Sequence, residues 1–441
     1  AEAAHAAKQA SFALAAAPGK ARSSALLAVA AALRAKANMV FKANEIDMRQ
    51  AEKEGLAAPA LKRLKFDAHK LEDVCAGLEQ LAAMEDPIGR EQLRTELADG
   101  LVLSRVSCPI GVIGVIFESR PDALIQIGGL CLKSGNAVLL KGGREAMRTN
   151  EALFDILRDA SVATGMPDGW CGLLTTREDV SVMLKMDEDI DLIIPRGSNA
   201  FVRYIMENSN IPVLGHSDGV CHVYVDADCD AQMAARIVTD AKTQYPAACN
   251  AAEMLLVHSA QLANAMCDVS IVKCESYAPE VCARALTEAG VTLRADSRAR
   301  AALYAAGVAS EAGDESDWGR EYLALTMAVH TVDSIEEAIA FINKHGSHHT
   351  DCIITRDEAA AGKFFALVDS AGVYQNCSTR FADGYRYGFG AEVGISTGKI
   401  HARGPMGLEG LCSYKYILRG HGDIVGDFAA ERRRFTHKKL L

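Results

Sequence analysis

The sequence predicts an α/β protein in which helices cover both sides of parallel sheets, the doubly wound arrangement. Three observations predict it. From Leu101 onward, short runs rich in valine and isoleucine alternate with longer segments of helical periodicity. Those runs are apolar at nearly every position, as strands buried on both faces are. A helical segment separates each run from the next, which favours parallel connections over hairpins.

The residues before Leu101 are predicted to be mainly helical. Residues 23–54 place apolar side chains at three- and four-residue spacing and end at Gly55, and residues 61–84 repeat that spacing. After these residues the sequence pattern changes to one typical of alternating strands and helices. The predicted order is strands within 101–121, helix 123–135, strand 136–142, helix 149–165, strand 170–176, helix 179–186 and strand 190–197.

A second alternating series begins near Cys221, so we place a domain boundary between residues 219 and 220. The first α/β unit spans 1–219, the second spans 220–400, and 401–441 form a return segment. The return segment has strand character. Together with 92–108 it is expected to form a sheet that reaches another subunit, because exposed strand edges invite pairing. An edge hairpin on its own domain fits the same pattern.

The overall composition argues against several classes of function. The 441 residues carry a net charge of −10, so nucleic acid and anionic membranes would be repelled. No apolar run reaches the ~18 residues of a membrane span, and no secretory signal is visible. Thirteen cysteines without C-x-x-C spacing favour a reducing compartment. We therefore expect a cytoplasmic location, with an organelle as the alternative.

Three short patterns resemble known binding motifs, but each one lacks a feature that its motif requires. GFGAEVG has the wrong spacing for a dinucleotide fingerprint, and GISTGKI is one residue short of a phosphate loop. His348 and His349 are adjacent, but no third ligand stands at a suitable spacing. We expect no metal site.

Two predicted strand ends carry residues suited to a phosphate-bearing ligand. In IPRGSNAFVRYI, Gly197 and Ser198 open a helix whose free N–H groups suit a phosphate. The alternative is an ordinary N-cap by Ser198. In VLLKGGREA, Lys141, Gly142 and Arg144 follow a strand, at the edge where open α/β sheets bind ligands. The alternative there is a solvated turn.

The stretch YPAACNAAE contains the cysteine most suited to chemistry. Small residues leave space around Cys249, and the run after it is compatible with a helix whose N-terminus would favour the thiolate. A free cysteine is also a common small core residue, so the residues alone leave both roles open.

The order of motifs along the chain resembles the γ-glutamyl phosphate reductase family of the aldehyde dehydrogenase superfamily. It is similar in particular to the reductase half of eukaryotic bifunctional pyrroline-5-carboxylate synthase. The motifs are VSCPIGVIGVIFESRPDALIQI, LKSGNAVLLKGG, DLIIPRGSNAFVRYI, IPVLGHSDGVCHVYVD, YPAACNAAEMLLVH, GSHHTDCIIT and NCSTRFADGYRYGFGAEVGISTGKIHARGPMGLEGL. They cover essentially the whole chain.

The resemblance implies a fold and a set of site residues. The fold would have a Rossmann-type NADPH-binding domain (1–219), an α/β catalytic domain (220–400) and an oligomerisation β-extension. Cys249 would be the nucleophile, and Lys141 would contact the adenosine ribose. Gly197 and Ser198 would form the cofactor motif at a helix start. Glu321 would hold the nicotinamide ribose, although its context, EYLALT, departs from the E-x-F-G-P of the wider superfamily.

The implied reaction is the second step of proline biosynthesis from glutamate. NADPH would reduce L-glutamyl 5-phosphate to glutamate 5-semialdehyde through a Cys249 thioester. The Cys249 N–H with Asn250 or Asn376 would hold the oxyanion. Arg120 and Arg380 would bind the substrate's anionic groups or form structural ion pairs. A glutamate 5-kinase, fused upstream or separate, and a second copy of the chain are the expected partners.

One departure from the superfamily bears on the reaction type. Hydrolytic aldehyde dehydrogenases carry a glutamate base in E-L-G-G, where this chain has Val213. Without that base water is poorly activated, which favours a reductive or phosphorolytic reaction. Three alternatives stay open: another acyl reductase of the superfamily, a cysteine hydrolase that uses His216 or His222, and a non-catalytic assembly module.

Overall fold

The structure, a computed structural model, describes residues 1–215, 218–263 and 278–441. These residues form two parallel sheets flanked by helices, a four-stranded antiparallel sheet and a two-stranded antiparallel sheet, so the predicted α/β class is confirmed. The helices are α1 (Glu2–Ala16), α2 (Gly19–Ala35), α3 (Ala37–Lys53), α4 (Ala58–Leu64), α5 (Ala68–Ala83), α6 (Pro121–Lys133), α7 (Met147–Ala163), α8 (Arg177–Met183), α9 (Asn199–Asn208), α10 (Ala231–Thr243), α11 (Ser259–Ala263), α12 (Ala278–Glu288), α13 (Ser297–Ala305), α14 (Ile335–His345), α15 (Glu358–Leu367) and α16 (Val425–Ala429). The strands are β1 (Glu91–Ala98), β2 (Leu101–Pro109), β3 (Val112–Phe117), β4 (Ala137–Lys141), β5 (Cys171–Leu174), β6 (Leu192–Arg196), β7 (Cys221–Val225), β8 (Ala252–His258), β9 (Thr292–Ala295), β10 (Glu311–Ala312), β11 (Thr326–Val332), β12 (Thr350–Ile354), β13 (Gly372–Gln375), β14 (Gly394–Ser396), β15 (Gly404–Met406), β16 (Cys412–Arg419) and β17 (Lys438–Lys439).

The first parallel sheet has the strand order β5-β4-β3-β6. The chain fills it from β3 outward to β5 and then crosses to β6 on the other side of β3. The order therefore reverses between β3 and β6, which opens a crevice at the carboxyl ends of these strands. Residues 118–120 follow β3 and residues 197–198 follow β6, so both stretches border the crevice.

The second parallel sheet has the order β10-β9-β11-β8-β7-β12-β13. Parallel strands begin at one shared edge of a sheet. Gly219 precedes β7, Cys249 precedes β8 and His349 precedes β12, and these three strands are neighbours. The topology thus brings together three residues that are far apart in the sequence.

The antiparallel sheet has the order β16-β2-β1-β17. Thr95 of β1 pairs with Leu103 of β2, and Ser104 of β2 pairs with Ile417 of β16. The predicted strands in 92–108 and in the tail are therefore present. Tyr416 of β16 is 58% exposed. Contact of this sheet with another subunit stays a prediction.

Each parallel sheet has its own hydrophobic core. In the first, α2, α5, α6 and α7 cover the strands through residues such as Leu26, Leu78 and Leu124. In the second, α10 and α12 pack on β8 and β11. Val393 is fully buried in the first core, together with the segment that follows it. Residues on both sides of position 400 therefore contribute to the same core, and the domain boundary at 400 stays a prediction.

Two predicted elements are each divided in two. The helix predicted over 23–54 breaks at Lys36, where α3 turns by 68° relative to α2. Both helices pack on α7, and α2 also packs on α5. The strand region 101–121 contains β2 and β3, which belong to different sheets. Gly111 joins them at φ +136, and a Cβ there would meet the carboxylate of Asp191 at 2.1 Å.

In the described part of the chain, no single helix is long and apolar enough to span a membrane. One bent pair, α2 with α3, passes that test of length and composition together.

Candidate active site

Cys249 lies in a turn between α10 and β8 and is partly exposed. A strand follows the turn, so the prediction of a helix start after Cys249 was wrong. The run from Ala252 is apolar and pairs on both sides with β7 and β11, which favours the strand. Gly219 packs directly on the turn. A Cβ at Gly219 would lie 2.3 Å from the Cys249 carbonyl oxygen and 2.7 Å from its Cβ.

His349 supplies an imidazole to this thiol. Its Nε2 lies 3.2 Å from the Cys249 sulfur, and its Nδ1 lies 2.9 Å from the Thr350 hydroxyl. His349 is only 1% exposed, so its orientation is fixed by packing. The neighbouring His348 points elsewhere, with Nδ1 2.5 Å from the Asp369 carbonyl oxygen. In the described ranges, no three His, Cys, Asp or Glu side chains gather as metal ligands.

Two histidines, His216 and His222, were predicted as the base of a cysteine hydrolase. His216 lies outside the described residues. His222 is fully buried, and both its Nδ1 and its backbone N lie 2.8 Å from the carboxylate of Asp351. Its Nε2 is buried without a partner in the described part of the chain. His222 therefore belongs to a buried pair beside the site.

Asn250 anchors the Cys249 turn to the segment after β13. Its side-chain amide donates to the Ala382 carbonyl at 2.8 Å, and the Thr379 hydroxyl donates to its backbone carbonyl at 2.7 Å. Within the described chain, the backbone N–H of Cys249 has no acceptor. That N–H is thus available to an oxyanion, whereas the Asn250 amide already has a role in holding the turn.

Asn376 bonds to a neighbouring loop. Its amide exchanges two hydrogen bonds with the backbone of Thr355, at 3.0 and 2.9 Å. The residue lines a cleft of about 1140 Å³ beside α10 and α12. Contact of Asn376 with the substrate or the oxyanion stays a prediction.

Arg196 and Arg380 place positive charge near the thiol, and Arg120 lies near Arg196. Burial lowers the pKa of Arg196, and so does the charge of Arg120, while Glu392 and Cys249 act in the opposite direction. Burial also lowers the pKa of Arg380, which Cys249 opposes in the same way. Arg380 is 9% exposed and donates through Nε to Gln244 at 2.9 Å. Arg120 and Arg196 donate to no described side chain, so their guanidinium groups are available to an anion.

The other cysteines in the described ranges are structural in character. Burial raises the pKa of their thiols, which disfavours the nucleophilic thiolate. They are Cys75, Cys108, Cys131, Cys171, Cys221, Cys229, Cys282, Cys352, Cys377 and Cys412.

The N-terminus of α9 has the properties of a phosphate site. Ser198 occupies the N-cap position, but its side chain makes no capping hydrogen bond, so the ordinary N-cap alternative does not hold. In the described chain, the N–H groups of the first turn after Ser198 have no acceptor. A Cβ at Gly197 would lie 3.2 Å from the Glu118 carboxylate, so this turn is closely packed.

A second group of candidate binding residues lies after β4. Lys141 is 8% exposed and donates to the Gly142 carbonyl at 2.6 Å. A Cβ at Gly142 would meet the amide of Asn150 at 2.1 Å. Asn150 is buried, and its Oδ1 has no partner in the described chain. Arg144 is 88% exposed at the rim. Such orphaned amides and adjacent cations fit the ribose and phosphate of a dinucleotide.

Glu321 joins the two domains at this crevice. Its carboxylate accepts a hydrogen bond of 2.8 Å from the side chain of Asn199, the first residue of α9. The same amide donates to Asp218 at 2.7 Å, and Asp218 adjoins Gly219. A continuous set of contacts therefore links the α9 N-terminus to the Cys249 turn.

The chain is similar to known proteins in both sequence and fold. Residues 1–269 match the model of the aldehyde dehydrogenase family. The γ-glutamyl phosphate reductase of Pelotomaculum thermopropionicum is 54% identical over 433 residues, which are 98% of this chain and 96% of that protein. The crystal structure of γ-glutamyl phosphate reductase from Thermotoga maritima matches with a TM-score of 0.90 at 34% identity, over 96% of this chain and 99% of that one. The chain belongs to the γ-glutamyl phosphate reductase family.

This membership confirms the family and the fold that the sequence predicted. γ-Glutamyl phosphate reductases are glutamate-5-semialdehyde dehydrogenases, oxidoreductases that catalyse the second step of proline biosynthesis. Aldehyde dehydrogenases use a nicotinamide cofactor. An engineered glycolyl-CoA reductase with bound NADP⁺ shares the fold, with a TM-score of 0.61 at 13% identity, over 94% of this chain and 95% of that one.

The sequence did not single out three residues that lie near Cys249. His349 was considered only as a metal ligand, although its position just before a strand was visible. Gly219 was used only as a domain boundary, and Arg196 only as part of a helix start. The order of the strands in the sheets, which the sequence does not show, brings these residues near the thiol.

Proposed function

We propose that the chain reduces L-glutamyl 5-phosphate to glutamate 5-semialdehyde and phosphate with NADPH, as a phosphorylating glutamate-5-semialdehyde dehydrogenase. The observation that supports this most is the environment of Cys249. The thiol is partly exposed, its sulfur lies 3.2 Å from His349, and Arg196 and Arg380 lie near it. That set suits a nucleophile which attacks an anionic acyl donor.

In the first half-reaction Cys249 loses its proton and attacks the acyl carbon. Nε2 of His349 accepts the thiol proton and can pass it to the departing phosphate. The S–C bond forms, the C–O bond to phosphate breaks, and a thioester remains on Cys249. Arg120 and Arg196 offset the charge of the phosphate, and the Cys249 N–H holds the oxyanion. One such donor is typically worth about 3 kcal/mol of barrier.

The second half-reaction reduces that thioester. NADPH, when bound, supplies the hydride for the acyl carbon. Lys141, Gly142 and Asn150 would hold the adenosine half, with Gly197 and Ser198 at a phosphate. The Cys249 sulfur then leaves as the oxyanion collapses to the aldehyde, and it recovers a proton from solvent. Arg144, although exposed, is our candidate for the additional phosphate that distinguishes NADPH from NADH.

The proposal includes roles for residues beyond the thiol and the dinucleotide site. Arg380 is proposed to bind the substrate α-carboxylate, and Glu321 to hold the nicotinamide ribose. Val213, which pairs with Ile193 at the edge of the first sheet, leaves water without a base there. A glutamate 5-kinase partner, a homo-oligomer and a cytoplasmic location stay predictions.

The test is NADP⁺ reduction by glutamate 5-semialdehyde and phosphate. The wild type should turn over, and Cys249→Ala should not, while NADPH still binds to that variant. Full turnover by Cys249→Ser or Cys249→Ala would remove the nucleophile from the proposal. Because the Cys249–His349 pair also fits a cysteine hydrolase, release of free glutamate from the acyl phosphate without NADPH oxidation would favour that alternative.

A further inference from the structure

A fully buried ion pair flanks Cys249 in the sequence. Nζ of Lys242, in the last turn of α10, lies 2.5 Å from Oε2 of Glu253 in β8. Both side chains have 0% relative exposure. Burying two charges costs several kcal/mol per ion unless their geometry and further hydrogen bonds offset it. Apolar residues of similar size would fill this space at a lower cost in free energy. We therefore expect the ion pair to have a role besides packing.

The second oxygen of Glu253 shows what that role is. Oε1 accepts the backbone N–H of Leu323 at 3.4 Å, and the backbone N–H of Tyr322 also points to this carboxylate. Leu323 has φ +54, a left-handed conformation that is strained for leucine, and it is 47% exposed. An exposed loop in this conformation needs a hydrogen bond from outside the loop to stabilise it, and the buried carboxylate of Glu253 provides that bond.

The loop that Glu253 holds begins with Glu321. That residue receives the 2.8 Å hydrogen bond from Asn199 at the start of α9. The first residue of the loop, Glu321, is therefore bonded to Asn199 of the first domain. Its last residue, Leu323, is bonded to Glu253, which follows the Cys249 turn in the sequence.

We propose that Glu253, whose charge is balanced by Lys242, is a positioning residue which holds the Glu321 loop in its cofactor-binding conformation. This inference rests on the proposed function, because it assumes that Glu321 contacts a bound nicotinamide cofactor. The positive charge of Lys242 favours the charged form of Glu253, and that carboxylate accepts both backbone N–H groups. The same pair connects the Cys249 turn to the cofactor loop, and it thereby sets their relative position.

Two double variants separate this role from a purely structural one. Lys242→Met/Glu253→Leu removes the charges and the acceptor, whereas Lys242→Met/Glu253→Gln removes the charges but keeps a carbonyl oxygen near Leu323. We expect NADPH to bind about tenfold more weakly to the leucine variant than to the glutamine variant, since two backbone donors lose their acceptor. The rate of Cys249 alkylation by iodoacetamide should be equal in both. Equal NADPH affinities would overturn the positioning role.

A measurement on the wild type covers the case in which the leucine variant does not fold. The amide hydrogens of Tyr322 and Leu323 should exchange with solvent at least about tenfold more slowly than that of the exposed Ala324, whose N–H has no acceptor in the described chain. Equal exchange rates would overturn the proposal. A wild type that does not bind NADPH would instead count against the proposed function itself.

Discussion

Nε2 of His349 lies 3.2 Å from the sulfur of Cys249, although the two residues are 100 positions apart. They meet because β8 and β12 flank β7, so that residues just before each strand share one edge of the sheet. An imidazole at this distance can remove the thiol proton and stabilise the thiolate as an ion pair. We therefore expect the reactivity of Cys249 to depend on His349.

Replacing His349 by alanine should slow the enzyme at its first chemical step. A general base of this kind is typically worth about 10²- to 10⁴-fold in rate, so kcat/KM should fall by that factor. Alkylation of Cys249 by iodoacetamide should slow as well, because the thiol loses the imidazole that accepts its proton. The alkylation rate constant, measured at one fixed pH, would show this.

The neighbouring histidine provides the control. His348→Asn alters a side chain that faces the Asp369 carbonyl and not the thiol. Asparagine tolerates the left-handed backbone of this position, where φ is +61. Its alkylation rate should match that of the wild type. If His349→Ala also matched the wild type, His349 would have no part in activating the thiol.

Gly219→Ala should displace the reactive turn. The added methyl would lie 2.3 Å from the Cys249 carbonyl oxygen and 2.5 Å from its Cα, and backbone cannot yield as a flexible side chain can. We expect a loss of stability of about 1–3 kcal/mol from this overpacking. Activity should fall at least about tenfold even where the variant is folded, because the thiol moves relative to His349.

Gly362→Ala is the matched control for that substitution. Gly362 lies on the exposed face of α15, and its added Cβ would meet no atom within 4 Å. Thermal unfolding should show a stability equal to the wild type or higher by about 1 kcal/mol, since alanine favours a helix. Comparable effects of the two substitutions would mean that close packing at Gly219 does not position Cys249.

Much of the fold could be predicted because the local patterns agree with it. The apolar runs of β3, β4 and β6 are buried on both faces, as their composition indicates. The break at Lys36 was not visible, because no Gly or Pro marks it and it follows from where α3 packs. Likewise the separation of β2 from β3 depends on pairing with the distant β16.

Candidate site residues could be chosen from the sequence where they stand in one short motif, as Cys249, Ser198 and Lys141 do. His349 and Gly219 come beside Cys249 through the strand order β8-β7-β12, which periodicity does not encode. Likewise, only the structure shows that the amide of Asn376 bonds to the backbone of Thr355.

Arg196→Met should weaken substrate binding with little effect on stability. The guanidinium donates to no described side chain, and burial and Arg120 already lower its pKa, so its removal relieves repulsion in the free enzyme. The loss of hydrogen bonds to an anion is worth about tenfold to hundredfold in affinity. The KM for phosphate in the semialdehyde-oxidising direction should rise by that factor.

A remote arginine tests whether this effect is specific. Arg356→Met removes an exposed guanidinium that pairs with Asp228 far from the thiol. Its KM for phosphate should not change. If Arg196→Met also left the KM for phosphate and for the acyl phosphate unchanged, Arg196 would not be a substrate contact.

Binding of NADPH should depend on the charge of Glu253. Burial raises the pKa of this carboxyl to about 7, and Lys242 opposes the shift. Cys221 of β7 faces the same pair, and Glu321 and Tyr322 approach it from the loop. Above about pH 7 the carboxylate is charged and holds the loop, and below it the carboxyl is protonated and its acceptor strength falls. The Kd for NADPH, measured by titration, should therefore rise as the pH falls through 7, and Lys242→Met/Glu253→Gln should lack this rise. A parallel rise in that variant would assign the effect to another group, such as the cofactor's own phosphate.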